Sequence, residues 1–299
     1  MTPLLLGAIG LLLAHPVPAV LARARWPYLA PRAGIVLWQS LALAAVLAVL
    51  GAGLSTALWL VTPQDPSPLR IAVHVAVMAL TVLVGGRLAW SVVDVARDTR
   101  ARRRRHRALL DLLAGVDESE PSLRILADEL PMAYCLPGVG ATRVVVSAGA
   151  LERLDPAEVD AVLEHERAHV RARHDLVLEG FTALHRAFPR GPRGDAPLHH
   201  SEVLVELLAD DRARRRCGAV PLARALVTLG SGAAAPRGAL GAGSAVQVRL
   251  ERLGDDPDEA RSGRLAAAAV AYAASAVVLV APTLFLAVPW ISSAWQRLA

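Results

Sequence analysis

The sequence predicts a mainly α membrane protein: four transmembrane helices, with a cytoplasmic α+β domain between the third and the fourth. Three observations carry this. Four long apolar runs divide a chain of 299 residues that is 54% hydrophobic and 20% charged. Arginines crowd some of the connections between these runs and are sparse in others. One polar segment, residues 96–264, has the length of an ordinary domain.

The apolar runs are Pro3–Ala22, Ala33–Pro63, Ile71–Gly86 with its continuation past Arg87 to Val93, and Leu265–Ile291. A helix rises about 1.5 Å per residue, so about 20 apolar residues cross a hydrocarbon core of about 30 Å. Spans are expected at about 3–22, 33–62, 71–93 and 265–291. The chain then divides into 1–95 with three spans, 96–264 as one polar domain, and 265–299 as a fourth span with a short tail. A mid-membrane arginine costs roughly 2.5–3.5 kcal/mol on insertion scales, so Arg87 is expected to snorkel to a surface. Ala22-Arg23-Ala24 resembles a signal-peptidase site. Yet the basic residues Arg23, Arg25 and Arg32 follow the first run, the reverse of a signal peptide. A retained span is therefore expected. Pro16, Pro18, Pro282 and Pro289 are tolerated within spans as kinks. His74 lies in the third run and is given no role.

Orientation follows from arginine. The loop after the first run holds Arg23, Arg25 and Arg32, whereas the loop after the second holds Arg70 alone. After the third come Arg97, Arg100, Arg102 to Arg105 and Arg107. The N- and C-termini are thus expected outside, with 96–264 cytoplasmic. Net charge is +5, and all 32 basic residues are arginine. The absence of lysine removes it as a catalytic option. Elsewhere such charge would suggest nucleic acid. Here the Arg102–Arg105 run abuts a span, so lipid headgroups of the bilayer are the expected partner and nucleic acid is not. Two cysteines, Cys135 and Cys217, exclude a disulfide scaffold and are expected as free thiols.

Within the polar segment, Leu109–Leu130 reads as helix broken at Gly115–Pro121. Met132–Leu136 and Arg143–Ser147 read as strands around a turn, the second carrying Val144-Val145-Val146. Asp155, Pro156 and Glu158 form a helix-start pattern, with a helix expected to about Arg173. Further helices are expected at Asp175–Phe188, Leu198–Cys217, Pro221–Leu229 and Ala245–Leu253, with Gly/Pro- or Gly/Ala-rich connections.

The first of these helices carries His165-Glu166-Arg167-Ala168-His169, an H-E-x-x-H. Histidines at i and i+4 share a helical face and can reach one metal ion. Glu166 beside them can take a proton from a metal-activated water. A catalytic zinc site needs a third protein ligand. A histidine after a helix-breaking glycine is one source, but Ala172 and Asp175 occupy those places, and His174 falls one position early on a helix expected to continue. A carboxylate on a later helix is the other source. Glu206 fits, with Asp210 at i+4 on the same face, able to accept the spare ring N–H of a ligand histidine. Glu202 and Asp211 are the rivals, with an exposed, arginine-paired face as their plainer reading. Glu164 and Arg167 are expected on the solvated face of the H-E-x-x-H helix, and His199 and His200 at a surface helix start.

The segment Glu-His-Glu-Arg-Ala-His-Val-Arg-Ala-Arg-His-Asp, preceded by Ala133–Gly138 and Arg143–Ser147, resembles the BlaR/MecR-type integral-membrane metallopeptidases. Glu206-Leu-Leu-Ala-Asp210-Asp-Arg212 is similar to their E-x-x-x-D segment, which also occurs in HtpX-like and CAAX-prenyl-protease-like peptidases. The resemblance implies a gluzincin fold in a bacterial plasma membrane. It implies one Zn²⁺ per chain held by His165, His169 and Glu206, Glu166 as the base, and Asp210 orienting a ligand. It also implies a substrate-binding edge strand at Met132, Ala133, Tyr134, Cys135 and Leu136, pairing with an extended peptide through backbone hydrogen bonds. The expected activity is metalloendopeptidase cleavage of a protein or peptide. β-Lactam sensors of that family carry a penicillin-binding domain after the fourth span. No such segment follows the fourth run here, so antibiotic sensing is not expected. Cleavage of a cytoplasmic repressor, or a non-catalytic metal-stabilised scaffold, are the alternative readings.

Overall fold

The computed structural model describes residues 2–61, 67–116, 122–138, 142–188, 195–232, 240–256 and 260–298. The architecture is mainly helical, with four long apolar helices and a small mixed sheet in the peptidase-like region. Two compact units are present: Met1–Asp94 with Gly180–Ser201 and Gly263–Ala299, and Val95–Glu179 with Glu202–Ser262.

In chain order the helical elements begin with α1 (Thr2–Ala14), α2 (Pro16–Leu21), α3 (Pro31–Val61) and α4 (Pro68–Leu113). Strands β1 (Ala114–Val116), β2 (Leu123–Leu126), β3 (Ala133–Leu136) and β4 (Arg143–Ser147) follow. Then come α5 (Ala148–Arg153), α6 (Pro156–Ala172), α7 (His174–Ala187), α8 (Ala196–Cys217), α9 (Ala219–Gly232), α10 (Leu240–Gly254) and α11 (Arg261–Leu298).

The first unit holds most of the long apolar helices. Stretches long and apolar enough to cross a membrane run over Pro3–Leu21, Pro31–Thr56, Pro68–Leu113 and Arg261–Phe285. The first bends at His15, between α1 and α2, with Pro16 opening the second piece. Helices α3 and α4 approach closely at Gly53, where a Cβ would lie 2.0 Å from Thr81 Oγ1. Small residues permit such backbone approach in lipid. Arg87 has a protein partner: its Nε donates to the Ala187 carbonyl at 2.9 Å. The last carbonyls of a helix lack intrahelical donors, so this guanidinium satisfies a helix end.

The second unit is built on the sheet, in the order β1-β2-β4-β3. β2 and β4 are parallel, and both outer pairings are antiparallel. β4 is buried on both faces, which its uninterrupted valines allow. Val144 and Val146 pack with Ala150, Leu154, Val162, Leu163 and Ala225, whereas Val145 packs with Leu110 and Leu136. The helix expected over Leu109–Leu130, broken at Gly115–Pro121, forms only as far as Leu113. α4 stops at Leu113 and the chain turns into β1 and β2, with 117–121 outside the described residues. The physical reason is tertiary: β2 gains a parallel backbone partner in β4, and Leu123 joins the valine cluster. Helix α5 follows β4 directly, with Ser147 Oγ accepting from the Ala150 N–H at 3.1 Å. Around α6, Ala161 packs with Ala213, Leu222 and Leu253 of α8, α9 and α10. α8 ends at Gly218, whose φ of 89° suits the glycine just past a helix end.

Candidate active site

Helix α6 positions the motif. Its start is fixed by Pro156 in the first turn and by Glu158, whose carboxylate accepts from the Asp155 backbone N–H at 3.1 Å. One turn and a half later, Ala161, Val162 and Leu163 are buried in the core, which turns His165 inward, 6% exposed. α8 faces it. Leu204, Val205, Leu207 and Ala209 are at most 1% exposed, so the carboxylates between them are carried into the interior.

The ligand-type atoms converge. Nε2 of His165 and Nε2 of His169 are 3.1 Å apart. They lie 3.3 Å from Oε2 and 3.4 Å from Oε1 of Glu206, respectively. These three residues form a group able to hold one metal ion. The spacing is informative. Around a tetrahedral zinc with bonds of about 2.0–2.1 Å, neighbouring ligand atoms stand about 3.3–3.4 Å apart. Two neutral imidazoles and one carboxylate are also a common catalytic zinc set, so the donors fit the metal. Asp210, 2% exposed, places Oδ1 2.9 Å from His165 Nδ1. A carboxylate there fixes the ring with Nε2 free to ligate. Glu206 keeps 33% of its side chain exposed, which leaves the site open to solvent on that side. Of the rivals, Glu202 is exposed, and Asp211 is held by Arg252 at 2.9 Å.

Sequence reading gave Arg249 no part here. From α10 it lays Nη1 2.9 Å from Glu206 Oε2, and its Nε and Nη2 each donate to Asp210 at 2.7 Å. Nothing in Val248-Arg249-Leu250 separates this arginine from its neighbours Arg252 and Arg224. Its place is set by the packing of Leu253 against Ala161 and Ala213.

The electrostatics follow from these contacts. Burial works against the charged forms of Glu206 and Asp210, but His165 and Arg249 outweigh it, with Glu206 brought down to about 2 and Asp210 also lowered. Burial likewise opposes a proton on His165, yet Asp210 and Glu206 push its pKa up to about 9. His169 moves the other way, down to about 4, chiefly through burial. Glu166 is held above the usual carboxylate range by burial and by the charge of Glu206, against the pull of His165 and of hydrogen bonds from Cys135.

Among the described residues, β3 pairs with β4 and with no other strand. Val144 N–H turns toward Ser122 O, at 2.9 Å, and Ser147 N–H toward Met132 O, at 3.0 Å. By the alternation of an antiparallel ladder, Ala133 and Cys135 then direct their backbone groups away from β4. The Cys135 N–H reaches Glu166. Tyr134 hydrogen-bonds His106 at 2.9 Å, Leu136 is buried, and both cysteines are free thiols.

Three expectations need correction. Glu164 is not solvated: it is 5% exposed, paired with Arg171 and within 3.7 and 3.8 Å of Arg212 and Arg216. His174 is not on a continuing helix. Arg173 breaks the helix in the left-handed region, at φ 52° and ψ 42°. His200, expected at a surface helix start, instead stacks on Trp38 with ring centroids 5.3 Å apart and hydrogen-bonds Tyr28.

Residues 99–187 match the model of Peptidase family M48. The similarity is to metallopeptidases, which are hydrolases. A "Protease HtpX homolog" from Moorella thermoacetica is 40% identical over 73 residues, which is 24% of this chain and 24% of that protein. The chain thus spans about a quarter of the curated relative it matches. No solved structure matches. These matches carry the HtpX-like resemblance and not the BlaR/MecR-type one. The matched family segment includes β1 to β4 and the H-E-x-x-H but stops before Glu206, so the candidacy of Glu206 rests on geometry.

Proposed function

We propose that this protein is a membrane-anchored zinc endopeptidase, with one zinc per chain, acting on protein substrates at the cytoplasmic face. The observation that carries it is the convergence of His165, His169 and Glu206 at tetrahedral-edge spacing, with Glu166 beside them in a family M48-like segment. Bound there, zinc supplies Lewis acidity, polarising a carbonyl and bringing the pKa of a water to about 7. Glu166 takes the proton of the attacking water and passes it to the leaving amine. Burial holds its pKa above the usual carboxylate range, the direction that favours returning the proton. Asp210 holds the proton on Nδ1 of His165. An extended peptide pairs with the outward backbone groups of Ala133 and with the Cys135 carbonyl, which brings it past Glu166. Cytoplasmic placement of 96–264, with both termini outside, rests on the arginine distribution. Cleavage of a cytoplasmic repressor is a narrower form of this reading, favoured by the resemblance of the 133–147 and 164–175 segments to BlaR/MecR-type peptidases.

The test is the detergent-purified chain with casein as an unfolded substrate, wild type beside Glu166→Gln. Both forms should hold about one zinc, while cleavage by the variant falls about 10²–10⁴-fold. Undiminished cleavage by Glu166→Gln would sink the mechanism.

A further inference from the structure

The mechanism above leaves a buried histidine beside the site unused. His174 is 4% exposed, and its Nδ1 lies 3.0 Å from Nδ1 of His169. That nitrogen of His169 is the one turned away from Nε2, which faces His165 and Glu206. His174 therefore stands behind a ligand rather than among the ligands, and it is outside the group able to hold a metal.

The backbone accounts for this position. His174 is five residues past His169. On a continuous helix of 3.6 residues per turn it would point about 140° away from the His169 face. Arg173 prevents that. It has the only positive φ of a non-glycine residue among the described residues. The left-handed turn ends α6, restarts the chain as α7 and swings His174 back over His169. An L-residue takes up this conformation reluctantly, so the surroundings hold it there.

The hydrogen-bond chemistry then has one consistent assignment. A neutral His169 that ligates through Nε2 carries its proton on Nδ1. That N–H donates to His174 Nδ1, which accepts. The proton of His174 sits on its own Nε2, an atom buried without a partner among the described residues. His165 has Asp210 in the equivalent place.

We infer that His174 is a positioning residue, which fixes the tautomer and ring angle of His169 for metal binding as Asp210 does for His165. The inference rests on the zinc-peptidase reading above. It is tested by zinc affinity, through chelator competition on the detergent-purified full chain, without reference to cleavage. His174→Phe keeps the ring and removes the acceptor. His174→Asn restores an acceptor, because Oδ1 is attached to Cγ as Nδ1 is. Loss of such a partner weakens a metal site roughly 10–100-fold, so His174→Phe should lose that much affinity and His174→Asn should regain most of it. In the zinc-loaded wild type, ring ¹⁵N shifts should show His174 protonated at Nε2 and His169 at Nδ1. A phenylalanine variant that binds zinc like wild type overturns the inference and leaves the zinc reading standing. Equal loss in both variants also overturns it, since a purely structural role predicts that. A wild type that binds no zinc overturns the zinc reading itself, and this inference with it.

Discussion

Two buried carboxylate clusters lie between α6 and α8, and they are neutralised in opposite ways. Among the described residues Glu164 is paired with three arginines, Arg171, Arg212 and Arg216, each 45–59% exposed. Glu206 and Asp210 have one arginine, Arg249, which is 11% exposed, and two histidines. Taking a carboxylate out of water costs several kcal/mol unless its charge is matched. The first cluster is over-matched by permanent cations that keep their water. The second has two negative charges and one permanent positive charge. The remaining positive charge must come from something that can leave: a proton on His165, or a metal ion. A carboxylate closed by arginines serves the fold, whereas a carboxylate pair left one charge short is suited to hold a cation.

The comparison breaks most directly at Glu206. Glu206→Ala removes a ligand and half of the acidic pair, so zinc content should fall from about one per chain to a small fraction, and cleavage should disappear with it. Metal analysis of purified protein reads this. Retention of stoichiometric zinc would move the third ligand elsewhere, with Glu202 the next candidate on α8.

Arg249→Met comes next. Removing one partner of a buried ionic group costs about 3–5 kcal/mol, because the other charges are left unmatched. In metal-free protein the denaturation midpoint should drop accordingly. Added zinc should recover much of it, since a divalent cation supplies what the guanidinium did. If zinc gives the variant no more stabilisation than it gives wild type, Arg249 does not balance the same charges as the metal.

The same deficit sets a pH signature in metal-free protein. His165 has its pKa raised to about 9 by Asp210 and Glu206, against burial. An unfolded histidine titrates near about 6.5. The native state therefore binds more protons across that window, so the stabilisation is complete below about 6.5 and is lost as pH rises through about 9. Zinc-loaded protein should lack this decline, because the metal takes the place of the proton. Chemical denaturation at several pH values, with and without chelator, separates the two.

What the sequence showed, and what it hid, follows the range of the interactions. The H-E-x-x-H, its cap at Asp155 and Glu158, and the Glu206–Asp210 pair are local patterns on single helices, and spacing alone exposes them. Arg249 is hidden because it acts across 39 residues and belongs to a short helix whose pattern is ordinary. Glu164 misleads because a charged residue beside a motif reads as solvated, and its matching arginines lie mostly on another helix. His174 misleads because the break before it uses Arg173, with no glycine to announce a left-handed turn. β1 and β2 are obscured for a similar reason. The arginine-rich helix α4 runs to Leu113, and the strands after it are stabilised by β4, not by their own composition.

The smallest effect should come from the arginine-closed cluster. Glu164→Gln removes one negative charge from beside three cations that are all substantially exposed. Those cations remain hydrated when the carboxylate is gone, so the loss should be that of a surface ion pair, about 0.2–1 kcal/mol, with zinc content unchanged. The pH dependence gives a second check. Burial raises the Glu164 pKa, but Arg171 and Arg216 more than offset this and hold it below the usual value. A group with a depressed native pKa stabilises above its unfolded pKa, about 4.3 for glutamate, and loses that stabilisation as pH falls through the native value. Wild type and Glu164→Gln should therefore differ at pH 7 and converge in acid. A cost of several kcal/mol, or a loss of zinc on this substitution, would show that the two clusters are one coupled network, and the distinction between them would fail.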